Sequence, residues 1–97
     1  MRLVWSQEAR RALLQIREET TQEASEDRAN TVIECIRERA LQLLYAPRIG
    51  RRVEPELRDD LRVIPVRPRW MYYRIRPDMI EIVSIKHYRQ EDALRAE

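Results

Sequence analysis

The chain has 97 residues, of which 37% are charged and 43% apolar, and a net charge of only +2. That length supports one domain, 1–97, with one modest core, and the composition is that of a folded soluble chain, not a disordered one. No apolar run nears the roughly 20 residues of a membrane span, the N-terminal segment lacks the apolar stretch of a secretory signal, and Cys35 stands alone, all of which fits a reducing cytoplasm.

Leu3, Val4 and Trp5 are apolar and β-prone and predict a first strand over Arg2 to Trp5. Ser6 follows as a helix N-cap, with Glu8 in the first turn where it suits the helix dipole. Ala9, Leu13, Ile16 and Thr20 recur at helical spacing, so the first helix is expected from 7 to about 20. Thr20 and Thr21 are poor helix formers and mark a break. A second helix is expected over 23–45, with Ala29, Val32, Ile33, Ile36, Ala40, Leu43 and Leu44 as its apolar stripe. Cys35 lies beside that stripe and reads as a small packing residue, since no His or Lys is near it in sequence.

Pro47 ends the second helix, because the residue before a proline avoids helical angles. Gly50 is the only glycine, which suggests a turn with positive φ. Three strands then complete an α+β domain. They run over 61–66, where Pro65 hints at an edge, over 70–76 and over 79–86, with turns at Arg67-Pro68-Arg69 and Pro77-Asp78. Alternation sets Met71, Tyr73 and Ile75 toward the helices, and Trp70, Tyr72, Arg74 and Arg76 on the other face. The last strand is largely apolar on both faces and is expected to be central or covered. Residues 90–96 can add a helical turn or fray.

Charge is unevenly spread. Residues 48–76 hold nine Arg against four acids, while the segments on either side are net acidic. Eighteen of the nineteen basic residues are Arg, a bias that explains Arg over Lys but not this crowding. Such a block suits phosphate or an acidic partner.

The order of strand, two helices and three strands resembles the RelE/ParE superfamily of bacterial type II toxin–antitoxin toxins. The carriers are Trp5-Ser6 and Glu8-Ala9, Pro47-Arg48-Ile49-Gly50-Arg51, Leu61-Arg62, Tyr73-Arg74-Ile75, Ile80-Glu81-Ile82-Val83 and His87. The resemblance implies a β-α-α-β-β-β fold, a cognate antitoxin, and no cofactor or metal. RelE-like members cleave mRNA on the ribosome, whereas ParE-like members poison DNA gyrase without catalytic residues of their own. The Pro-Arg-Ile-Gly-Arg segment and the Tyr-Arg-Ile strand resemble the ParE-like group.

Metal-free RNA cleavage needs a base, an acid and cations around one phosphate. Set against the RelE-like pattern of Lys and Arg that the resemblance implies, Asp60 stands where a cation is wanted, with a basic residue only at Arg58, and Trp70 replaces an expected arginine. His87-Tyr88 does resemble the His-Tyr ending of one nuclease branch, displaced by a residue. For a ribosome-dependent endoribonuclease acting on mRNA, the catalytic candidates are therefore His87, Tyr88 and Arg62. The competing reading of His87 is a histidine that closes the last strand through a hydrogen bond. For a gyrase-binding toxin, the target- or partner-facing candidates are Arg58, Arg62, Arg69, Trp70, Tyr72, Arg74 and Arg89. Arg62 and Arg74 could equally pair with Asp59, Asp60 or Glu81, at a surface value of ~0–1 kcal/mol. A third reading is a non-toxic binding module of the same fold.

Overall fold

Two serines set the helical hairpin. Ser6 Oγ accepts the Ala9 N–H at 3.0 Å and starts α1, Gln7–Glu23. Ser25 Oγ accepts the Arg28 N–H at 3.0 Å and starts α2, Glu26–Gln42. The break expected at Thr20 and Thr21 is absent, and the Ala24 N–H still bonds Thr20 O at 2.8 Å. A threonine costs a helix only tenths of a kcal/mol, too little to end it. The new cap at Ser25 sets the corner instead. The second helix ends before the expected 45, because Leu43, Leu44 and Tyr45 close tighter three-residue turns onto Ala40, Leu41 and Gln42.

The structure, a computed structural model, describes residues 1–53 and 60–90. Its strands are β1 (Arg2–Trp5), β2 (Arg51–Arg52), β3 (Leu61–Val66), β4 (Arg69–Ile75) and β5 (Met79–His87), followed by a 3-10 turn at Tyr88–Gln90. They form one five-stranded sheet in the order β1-β5-β4-β3-β2. The first strand returns to pair parallel with β5, and the other pairings are antiparallel. The expected α+β class holds, with one strand more in the sheet than anticipated. Strand β2 is two residues long, too short to show alternation. As expected, β5 is internal, lying between β1 and β4. Pro65 sits on the part of β3 beyond β2, where no neighbour needs its missing N–H.

Both helices cover one face of the sheet. Ala9 and Ile16 of α1 and Ile33, Ile36 and Ala40 of α2 pack with Ile64, Met71, Tyr73, Ile80, Ile82 and Ile85. A bulge interrupts the β4–β5 ladder. Tyr72 faces Ser84 and Tyr73 faces Ile82, which leaves Val83 as the extra residue. The Val83 carbonyl accepts a bond from Ser6 Oγ at 2.7 Å, so one serine caps α1 and fastens it to the bulge.

Three further expectations fail. Tyr72 is not on an open surface: it is 3% exposed. It occupies the middle of the row Val63–Tyr72–Ser84 on the face away from the helices, with Val53, Leu61 and Val83 around it. Cys35 is exposed, because the buried stripe of α2 runs through Ile33, Ile36 and Ala40 and leaves position 35 outside. Gly50 does not have positive φ.

Candidate functional site

The reason for Gly50 is space. A Cβ there would lie 2.7 Å from Tyr73 Oη and 2.9 Å from Ile64 Cγ2, inside contact distance of both. The Tyr73 side chain is fully buried and reaches from the core to the underside of the loop that joins α2 to β2. Its hydroxyl donates to Pro47 O at 2.6 Å and accepts from the Gly50 N–H at 3.0 Å. Burial raises the Tyr73 pKa above its ordinary value, and the Gly50 N–H bond and the Arg62 charge oppose the rise.

Arg62 holds the same loop. Its Nη1 donates to Gly50 O at 2.8 Å and Arg48 O at 3.3 Å, and its Nε pairs with Asp60 at 2.8 Å. Its side chain is 14% exposed. The pairing with Asp60 was among the readings of the sequence; the grip on the loop was not.

The other candidates are scattered. Arg69 faces His87 across β4 and β5, and both line a cleft beneath α1 with Arg11, Gln15, Glu19 and Lys86. Burial lowers the Arg69 pKa, an effect that the charge of Glu19 partly offsets. Trp70 and Arg74 are half-buried on the opposite face with the buried Tyr72. The Trp70 ring packs on Tyr88 at 4.9 Å between centroids. His87 closes β5 locally: its Nδ1 accepts the Arg89 N–H at 3.1 Å, and its own N–H donates to Gln90 Oε1 at 2.9 Å. Arg89 is exposed, and Arg58 lies outside the described residues.

The nuclease candidates do not converge. Arg62 faces Tyr73 and His87 faces Arg69, four residues apart on β4 and on strands that flank it. At ~3.3 Å per residue and ~4.8 Å per strand, their backbones are roughly 16 Å apart. The Arg62 guanidinium is moreover committed to Gly50, Arg48 and Asp60. Among the described residues, no group of three or more His, Cys, Asp or Glu could hold a metal ion, and no helix is long and apolar enough to cross a membrane.

A family model described as the ParE toxin of the type II toxin–antitoxin system, parDE, matches residues 3–92. The chain belongs to the ParE toxin family. Among solved structures it is similar to one described as the chromosomal ParDE TA system from P. aeruginosa. The TM-score is 0.75 and the identity 22%, over 90% of this chain and 95% of that one. Comparison with curated protein sequences finds no significant match.

Two surfaces of this toxin were not singled out in its sequence. One is a groove of about 400 Å³ between the edge strand β1 and the helices, lined by Leu3, Trp5, Arg10, Leu13, Arg37 and Leu41. It continues along the helices past Leu14 and Arg17. The signal was available: Leu13 and Leu14 are adjacent, so α1 is apolar over more of its circumference than one buried stripe requires. The other is the outer side of the loop from Tyr45 to Arg51, whose Pro47-Arg48-Ile49-Gly50-Arg51 segment carried the family resemblance but was given no binding role.

Proposed function

We propose that this chain is the toxin of a bacterial type II toxin–antitoxin module that acts in the cytoplasm by binding DNA gyrase and is neutralised by a cognate antitoxin. The observation that carries the binding reading over RNA cleavage is the position of Arg62. A cation for a pentacoordinate phosphate must be free and near the acid and base. Arg62 instead ties down three backbone and carboxylate oxygens at the end of the sheet away from His87. Membership of the ParE toxin family agrees with this reading.

The groove between β1 and the helices supports the antitoxin part. Leu3, Trp5, Leu13 and Leu41 offer apolar contact, and Arg10 and Arg37 make no ion pair among the described residues. An amphipathic antitoxin segment with acidic flanks matches that combination.

The test is a supercoiling assay. The purified protein is expected to block gyrase supercoiling of relaxed plasmid, the antitoxin to restore it, and a translated reporter mRNA to stay intact. His87→Ala should retain the inhibition. Undisturbed supercoiling at a large excess of toxin would overturn the proposal, and mRNA cleavage lost in both His87→Ala and Arg62→Ala would favour the endoribonuclease.

A further inference from the structure

The loop from Pro47 to Gly50 is held from below by two side chains of the sheet. Tyr73 takes Pro47 O and the Gly50 N–H; Arg62 takes Arg48 O and Gly50 O. Burying a phenol and a guanidinium is a costly way to fix a loop, and here their hydrogen bonds go to the loop backbone. The consequence lies on the other side of the same loop. Tyr45 is 92% exposed and Ile49 58% exposed, and Arg48 and Arg51 are exposed without an ion pair among the described residues. Leu41, one helical turn before Tyr45, adds a further exposed apolar side chain. These side chains contribute little to the core. The backbone that carries them is nevertheless fixed more firmly than a connection requires.

This is the arrangement of a preorganised contact surface. Ordering a loop on binding costs affinity, and a loop already ordered avoids that cost. Tyrosine and arginine are also the residue types that dominate the energetics of protein interfaces. Among the described residues, Asp60, at the start of the adjacent strand, does not offset this charge, because it is already engaged by Arg62 at 2.8 Å and Arg52 at 3.8 Å. The apolar members, Leu41, Tyr45 and Ile49, argue for a protein occupant over a phosphate backbone, to which aliphatic side chains give nothing.

We propose that the clamped loop, through Tyr45, Arg48, Ile49 and Arg51, is the surface with which this toxin grips an acidic, partly apolar patch on its protein target. The inference rests on the reading of the chain as a toxin that acts by binding. It moves the contact from the arginine-rich hairpin to the loop that the hairpin holds. Arg62 and Tyr73 are positioning residues on this account: they touch the loop, not the target.

The test uses the full chain with two variants, Tyr45→Ala/Ile49→Ser and Arg48→Glu/Arg51→Glu. All four side chains are exposed, so both variants should keep the wild-type melting temperature. Binding to immobilised gyrase is expected to weaken by about 30-fold or more in each, the loss typical of interface hot spots. Growth arrest on induction should be lost in parallel. Tyr73→Phe keeps every contact side chain and should weaken binding as well, through a loosened loop. Wild-type gyrase binding in both folded surface variants overturns the loop assignment and leaves the gyrase reading standing. If the wild-type protein arrests growth without binding gyrase, the gyrase reading falls, and arrest retained or lost in the two variants decides the loop. Loss of duplex DNA binding with gyrase binding unchanged also overturns the proposal and gives the loop to nucleic acid.

Discussion

Tyr73 is a core residue whose polar end serves the surface. Replacing it with Phe keeps the ring in the core and removes both bonds to the loop, leaving Pro47 O and the Gly50 N–H without their partner. An orphaned buried polar group costs ~1–3 kcal/mol, so Tyr73→Phe should lower stability by about 2–3 kcal/mol in urea denaturation. The same residue gives a pH signature. Its folded pKa is raised above the ordinary 10.0, so the unfolded chain loses this proton first. The stabilisation is complete below about pH 10 and falls as pH rises toward the folded pKa, by at most ~1.4 kcal/mol per pH unit. Urea midpoints measured on both sides of pH 10 should drop in the wild type, with a flatter limb in Tyr73→Phe. Gly50→Ala attacks the same contact from the loop. Its methyl meets Tyr73 and the buried Ile64, and a loss of about 1–3 kcal/mol is expected from such overpacking. A positive φ was the wrong reason for this glycine. The position needs closeness to a side chain 23 residues away, which nothing in the local sequence encodes.

At the level of elements, local rules read well and long-range ones did not. Ser6 was legible as a cap because the signal is a residue type beside a periodic run. Its second bond, to the Val83 carbonyl, was not, because that carbonyl is freed only by a bulge between β4 and β5. Ser6→Ala removes both at once and should cost about 2 kcal/mol, the upper end for a capping residue, measurable as a fall in melting temperature. Alternation placed Met71 and Tyr73 under the helices correctly. It failed at Tyr72 because alternation says which face a residue takes, not whether that face is covered. The burial of Tyr72 depends on its register with Val63 and Ser84. The candidate site suffered from the same limit. The arginines of the hairpin are crowded in sequence, yet the pleat sends Arg62 and Arg69 to one face and Arg74 to the other, and Arg62 is consumed by the loop.

For the molecule as a whole, the groove and the clamped loop meet at Leu41, which lines the first and borders the second. An antitoxin lying in the groove would therefore end beside the surface proposed for the target. Arg10→Glu combined with Arg37→Glu should weaken antitoxin binding by at least about tenfold, from the like-charge juxtaposition it creates, while leaving gyrase inhibition intact. Calorimetric titration and the supercoiling assay would check the two halves. The return of β1 to β5 carries a further consequence, for the order in which the protein is made. Ser6 and Val83 are 77 residues apart, and the strand that receives β1 is the last of the described strands to be synthesised. Chains grow from the N-terminus at ~5–20 residues per second, and contacts of such long separation form late. A chain stopped after Asp78 would lack Ile80, Ile82 and Ile85 of the core and the partner of its own first strand. It should show no cooperative unfolding transition by circular dichroism and should not arrest growth. On the proposed reading a half-made chain would not yet be toxic, and the antitoxin would need to be in place only once β5 has emerged.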